Sequence, residues 1–167
     1  MADQYRRWFA YERDAHDKTL ASLRDAPEAA RTSPTFQQAV DLLAHLVAAR
    51  WLWLTRMGAV DRMPRDVFPR RVPLAELERA LADMHAAWDD YLARLDQAEL
   101  TRVFEYRSLE GDGFRNTVED TLTQLFGHSG YHRGQIALLV RSFGGQPAVT
   151  DFVFWTREPL ASPPVRA

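Results

Sequence analysis

Apolar residues recur at helical spacing in four long stretches of the chain, and helix-breaking or capping residues separate these stretches. Pro27 ends the first stretch, Ser33 and Pro34 open the second, and two glycines follow the last. The pattern predicts four long helices, over about residues 3–25, 34–58, 73–95 and 117–143.

Two shorter segments differ from this helical pattern. Residues 103–107 alternate between polar and apolar side chains, and residues 110–113 supply turn formers, which predicts a small β-hairpin between helices three and four. Residues 151–155 are largely apolar and precede several prolines. We expect this segment to be an apolar plug, followed by a frayed end from about residue 157.

The lengths of the connections predict how the helices are arranged. The link between the first two helices is short, so these helices should be antiparallel neighbours. Residues 59–72 could extend over roughly 45 Å, whereas a helix of some 24 residues is only about 36 Å long. This loop could therefore return along the helices and leave helices two and three parallel. The chain is predicted to be an all-α, up-down-down-up four-helix bundle, with residues 1–167 forming one domain.

Composition narrows the possible functions. The 21 basic and 23 acidic residues give a net charge of −2, without the basic excess of nucleic-acid-binding proteins. No segment approaches the ~18 apolar residues of a membrane span, and the amino terminus lacks the apolar core of a signal peptide. We therefore expect a cytoplasmic protein with neither a nucleic-acid nor a membrane partner.

The chain contains no cysteine. This absence excludes disulfides, thiolate metal ligands and a thiol nucleophile supplied by the protein. Any metal site must therefore be built from histidine, aspartate or glutamate.

His128 and His132 are the first candidates for such a site. They lie four residues apart on the fourth predicted helix, so both imidazoles share one helix face and can reach one ion. Leu125 and Leu139 belong to the same face, and we therefore expect both rings to point into the bundle. The spacing alone is equally consistent with two independent histidines.

His45 is the third candidate ligand. It lies on the second predicted helix, nearly opposite that helix's main apolar stripe, on a side that is also apolar. One of the two sides could face the core and the other a second subunit, and the pattern does not say which faces helix four. If His45 meets His128 and His132, three neutral nitrogens and an open position would form a catalytic divalent-metal site.

Three glycines interrupt the fourth predicted helix. Gly127, Gly130 and Gly134 each cost about 1 kcal/mol relative to alanine in a helix interior. Close packing against a neighbouring helix, favoured for Gly130 and Gly134, or room for a metal and its ligand would offset this cost.

Three segments together resemble the DinB/YfiT-like superfamily: HLVAARWLWLTRM, HSGYHRGQIALLVRSFGGQP and TDFVFW. The resemblance implies an up-down-down-up four-helix bundle, often a homodimer, with a divalent ion held by His45, His128 and His132. For the bound ion, the resemblance favours nickel or zinc over iron or manganese. Many members have a further histidine where this chain has Gln124, which could hydrogen-bond bound water or change the polarity of the pocket.

The resemblance also implies a function, because the superfamily includes thiol-dependent transferases and isomerases. Our leading hypothesis is an enzyme whose metal activates a low-molecular-weight thiol for transfer to a small electrophilic substrate. The absence of a protein thiol agrees with this scheme. The alternatives are a hydrolase that uses metal-bound water, with Glu12 as the nearest candidate base, and a noncatalytic, stress-related binding or scaffold dimer.

Several further residues have open roles. His16 falls on the inner face of helix one with Glu12, where it could line the pocket or be a core histidine bonded to Glu12. His85 flanks the apolar stripe of helix three and should be structural or exposed. Three motif residues could serve in capping, dimer contacts or ligand binding: Tyr131, Arg133 and Gln135.

Overall fold

Four long helices and one hairpin make up most of the chain in this computed structural model, which describes residues 1–160. A short 3-10 turn at Glu28–Ala30 precedes the second helix. The elements are α1 (Ala2–Arg24), α2 (Pro34–Arg56), α3 (Leu74–Ala93), α4 (Gln97–Thr101), β1 (Val103–Arg107), β2 (Gly113–Thr117), α5 (Val118–Ser142) and α6 (Phe152–Thr156). The four predicted helices and the hairpin are confirmed to within a few residues, whereas α4 was not predicted.

Side-chain caps explain why two of these helices begin where they do. At the start of α2, the Ser33 hydroxyl accepts a hydrogen bond from the backbone N–H of Phe36 at 3.1 Å, and Pro34 occupies the first turn. At the start of α5, Thr117 and Asp120 form a capping box in which each side chain accepts from the other residue's backbone N–H.

Contacts between side chains show which ends of the long helices meet. Helices α1 and α5 meet at Tyr5–Thr123 and Tyr11–Arg133, and α1 and α3 meet at Arg6–Leu92 and Arg24–Glu78. Phe36 and His45 of α2 contact Phe143, directly after α5, and His128. Gln37 of α2 bonds to Val72, two residues before α3, and Met57, directly after α2, contacts Tyr91 of α3. Helices α1 and α5 therefore run in one direction, and α2 and α3 run in the other.

One apolar core lies between the long helices. Its largest fully buried side chains come from all four of them, and they include Leu23, Leu43, Leu54, Leu77, Leu81, Trp88, Leu125 and Ile136. Burial of this kind supplies most of the free energy that holds helices together. No helix within residues 1–160 has the length and apolar character needed to cross a membrane.

The loop between α2 and α3 returns along α2. Thr55 donates to the carbonyl of Arg62 at 2.8 Å, and Asp41 accepts the backbone N–H groups of Arg71 and Val72 at 3.1 Å. The predicted return of this loop is therefore confirmed. The loop also covers part of the apolar side of α2 that carries His45. We had considered a second subunit as one possible cover for that side.

Within the chain, the glycines of α5 do not have the helix-packing role that we favoured for Gly130 and Gly134. A Cβ at Gly127 or Gly134 would meet no heavy atom within 4 Å, and the nearest atom to one at Gly130 is a guanidinium nitrogen of Arg133 at 4.0 Å. All three glycines are exposed because they lie on the side of α5 that faces away from the other long helices.

The carboxyl-terminal segment is only partly the plug that its composition predicts. Phe152 and Trp155 of α6 pack their rings against Tyr11, but Val153 and Phe154 are exposed. A five-residue helix turns its side chains in several directions, so it cannot bury all of them against one surface. Most of the predicted frayed end, residues 161–167, lies outside the described residues.

We predict that Thr117→Ala lowers the free energy of unfolding by about 1 kcal/mol, because it removes the side-chain acceptor that caps α5. Thr117→Ser keeps a hydroxyl and should retain most of the stability. Urea unfolding followed by circular dichroism measures both. Equal losses in the two variants would contradict the assigned cap.

Candidate metal centre

Three imidazole rings meet where α2 packs against α5. The Nε2 atom of His128 lies 3.2 Å from Nε2 of His45 and 3.1 Å from Nε2 of His132. Nitrogens bound to one tetrahedral ion at about 2.0–2.1 Å would lie roughly 3.4 Å apart. The described residues contain one group of three or more potential ligands in such proximity, and it consists of these three histidines.

Hydrogen bonds on the far side of two rings determine where their protons lie. His45 Nδ1 lies 2.6 Å from the carbonyl oxygen of Val67, and His132 Nδ1 lies 2.7 Å from Oε1 of Gln135. Both oxygens are acceptors, so each Nδ1 must donate, and in the neutral ring Nε2 then carries a lone pair. Two lone pairs are therefore directed at the third imidazole, which is the arrangement that a cation would complete.

The surroundings keep the rings of His128 and His132 in their neutral form. Burial, together with the neighbouring His132 and His45, lowers the pKa of His128 to about 4. Burial also lowers the pKa of His132, and this effect outweighs its hydrogen bond with Gln135. Neutral imidazole is the metal-binding form, so at neutral pH these two rings need not lose a proton to bind an ion.

The cluster lies at the edge of the helical core. His45 is buried, whereas His128 and His132 face it from α5 but are only half-buried, so the expectation that both rings point into the bundle holds in part. Phe68 stacks on His45 with ring centroids 4.8 Å apart, and Tyr131 meets His132 edge-on at 5.1 Å. The cluster is thus flanked by two exposed aromatic rings and remains accessible to a small ligand.

The three motif residues on α5 have different surroundings. Gln135 holds the ring of His132, whereas Tyr131 is 66% exposed. Arg133 is buried, and its guanidinium donates to the hydroxyl oxygens of Ser129 and Tyr11, both at 2.8 Å. Arg133 therefore lies on the buried side of α5, whereas Tyr131 and Gln135, four residues apart, share another side of the helix.

A buried ion cluster lies beside the histidines. The carboxylate of Glu12 on α1 pairs with Arg50 of α2, and its Oε1 lies 3.9 Å from the guanidinium of Arg133 on α5. All three side chains are at least nine-tenths buried. Sequence reasoning named Glu12 as a pocket residue and missed Arg50, although an arginine within the apolar run of α2 is an unusual residue that could have signalled a buried pair.

His16 does not bond to Glu12, which was one of the two roles that we considered for it. Its Nε2 lies 2.9 Å from the Ser129 hydroxyl, and its Nδ1 lies 3.3 Å from Nε2 of His85. Arg50 and Arg133 instead surround the carboxylate of Glu12. Burial, followed by the charge of Arg133, holds the pKa of His16 well below its usual value.

His85 and Gln124 complete the candidate residues. We expected His85 to be either structural or exposed, and its side chain is buried, so it is structural. Burial also lowers its pKa to about 4. Gln124 is exposed, one turn before His128 on α5. Its proposed effect on the pocket stays a prediction.

Comparisons with known proteins agree with this architecture. The family model described as "DinB family" matches residues 1–160. A crystal structure of a DinB-like protein from Bacillus cereus superposes with a TM-score of 0.64, at 18% identity, over 88% of this chain and 95% of that one. At this identity the likeness shows a shared fold. No curated protein matches the chain.

We predict that Glu12→Gln lowers the free energy of unfolding by about 3–5 kcal/mol, because it leaves two buried guanidinium charges without a counter-charge. The matched control is Asp89→Asn, which breaks the exposed ion pair with Arg13 and should cost about 0–1 kcal/mol. Urea unfolding measures both variants. Similar small losses in the two would contradict the structural importance of the buried cluster.

Proposed function

This chain belongs to the DinB family, and from its three-histidine cluster we propose that it is a divalent-metal-dependent enzyme acting on a low-molecular-weight thiol. The observation that carries the proposal is the convergence of three Nε2 atoms, two of them with their lone pairs directed inward, at an accessible edge of the core.

The donor set favours particular ions. Imidazole nitrogen suits zinc, nickel and iron, whereas manganese prefers oxygen donors, and the cluster contains no carboxylate. We therefore propose nickel or zinc, held by His45, His128 and His132. A divalent ion bound there would lower the pKa of a coordinating thiol and stabilise the thiolate as a nucleophile.

The remaining residues position ligands around the ion. Val67 and Gln135 hold two of the rings in the metal-binding tautomer. Phe68 and Tyr131 offer exposed aromatic surface on two sides, which would favour an electrophile with an apolar part. The chain itself has no cysteine, so the sulfur nucleophile must come from a cosubstrate.

The two alternatives receive less support. A hydrolase would use a carboxylate near the ion as general base, but the Glu12 carboxylate is engaged by two arginines. A structural metal site would ordinarily be closed by a fourth protein ligand, whereas this group has three. Both observations favour the thiol-dependent enzyme.

We also propose the scaffold and the quaternary state that the family suggests. The helix directions support an up-down-down-up four-helix bundle, because α1 and α5 run opposite to α2 and α3. A homodimer is supported by the outer face of α5, where Tyr131 and Leu138 are about two-thirds exposed. Gly127 and Gly134 on the same face have no side chains, and no other part of the chain within residues 1–160 covers them.

We predict that untagged protein purified without chelators contains close to one nickel or zinc ion per chain. His128→Ala and His132→Ala should each lower the affinity by more than tenfold, because even groups that only support a ligand are worth about 10–100-fold. Elemental analysis and competition with a chromogenic chelator measure these quantities.

His85→Asn is the matched control, because it removes a buried histidine outside the cluster and should leave the metal content unchanged. Wild-type protein that stays metal-free after incubation with nickel, zinc, iron and manganese would overturn the proposal.

A second prediction concerns the reaction. Metal-loaded protein incubated with glutathione or cysteine and an aryl halide should consume thiol and electrophile in equal amounts, and His132→Ala should abolish the enzymatic rate. Parallel thiol titration and chromatography of the product test this stoichiometry. Loss of a hydrolysable substrate without loss of thiol would instead favour the hydrolase.

A further inference from the structure

Arg56, the last residue of α2, has its guanidinium packed against two aromatic rings that are themselves in contact. Its central carbon lies 4.9 Å from the ring centroid of Trp53 and 4.7 Å from that of Tyr106 on β1. One Nη atom donates to the carbonyl oxygen of Arg107 at 2.7 Å. Stacking and this hydrogen bond restrict the orientation of the guanidinium, so less conformational entropy is lost when its remaining donors bind a ligand.

This cation has no carboxylate partner. Among residues 1–160, no aspartate or glutamate oxygen lies within 4.0 Å of the Arg56 guanidinium. Burial lowers the pKa of Arg56, and Tyr106 and then Glu110 counter this effect only in part. A half-buried and unpaired charge favours an anion that can approach it.

Arg56 lines a cleft of about 560 Å³ between α2, the loop of residues 59–72 and the hairpin. Much of the lining is apolar, and it includes Leu52, Met63, Val67, Phe68, Tyr106 and Leu109. Two acidic residues also border the cleft. The Asp66 carboxylate accepts the backbone N–H of Phe68, and Glu105 is exposed on the face of β1 opposite to Tyr106.

We infer that this cleft binds a small organic carboxylate with an apolar body, whose carboxylate pairs with the guanidinium of Arg56. The planar donors of arginine match the two oxygens of a carboxylate, and the apolar lining suits the rest of such a molecule. A neutral molecule of the same shape would leave the charge of Arg56 unpaired.

The position of the cleft relates this ligand to the proposed reaction. Val67 and Phe68 line the cleft and also contact His45, so the cleft borders the histidine cluster. Arg56 follows His45 by eleven residues on α2, or about 16 Å along the helix axis. An elongated carboxylate held at Arg56 would therefore extend toward the cluster. The assignment of this carboxylate as a substrate or cosubstrate rests on the proposed function. Its binding in the cleft is independent of that function.

The test compares phenylbutyrate with its neutral amide, using isothermal titration calorimetry on chelator-treated, full-length protein. We expect the acid to bind at least about tenfold more tightly than the amide, the ratio that one charge-assisted hydrogen bond supplies. The indole N–H signal of Trp53 in two-dimensional NMR should shift during titration with the acid.

Three variants locate the charge that is responsible. Arg56→Gln should bring the acid and the amide to nearly equal affinity. Leu109→Glu, at an exposed residue of the cleft, adds a negative charge without altering Arg56 and should also weaken binding of the acid. Arg65→Gln removes a different, exposed cation of the same cleft and should preserve the preference.

Several results would overturn the inference. They are equal affinity for the two compounds, absence of saturable binding, an unchanged preference in Arg56→Gln, and an equal loss in Arg65→Gln. Binding of the acid only after metal loading would also overturn it, because the carboxylate would then be a metal ligand. All these measurements except the last use metal-free protein, so a failed metal-content experiment would leave their interpretation unchanged.

Discussion

A carboxylate buried between two arginines determines how the helices that carry the histidine cluster meet. Glu12 comes from α1, Arg50 from α2 and Arg133 from α5, so three helices share one set of desolvated charges. A buried charge without its partner costs several kcal/mol, which excludes alternative registers between these helices. Each arginine follows a histidine of the cluster by five residues. Because α2 and α5 run in opposite directions, this equal spacing does not by itself bring the histidines together, and the contact between His45 and His128 is a second constraint on the same two helices.

Two adjacent faces of α5 differ in burial and in the groups that they contact. Ser129 and Arg133 are buried and bond to residues of α1, including His16 and Tyr11. The residue before each of them, His128 or His132, lies about 100° around the helix and is therefore at the edge of the core. The polar interior holds the helix in place, and the neighbouring face offers its imidazoles to a ligand.

The sequence predicted the elements of the fold well, because apolar periodicity and capping residues are local signals. It also predicted that three histidines could meet, and the structure brings them within ligand distance. What covers each helix face was predicted less well. The glycines of α5 face solvent, and part of one side of α2 is covered by the loop that contains Val67. Backbone carbonyls and loop paths leave no periodic signal, so these contacts required the structure.

The most direct measurement of the central claim is the anomalous scattering of crystals of metal-loaded protein, recorded at the absorption edge of the bound ion. The account predicts one strong peak about 2.0–2.2 Å from the Nε2 atoms of His45, His128 and His132. A peak that contacts only one of these nitrogens, or one located elsewhere on the chain, would contradict it.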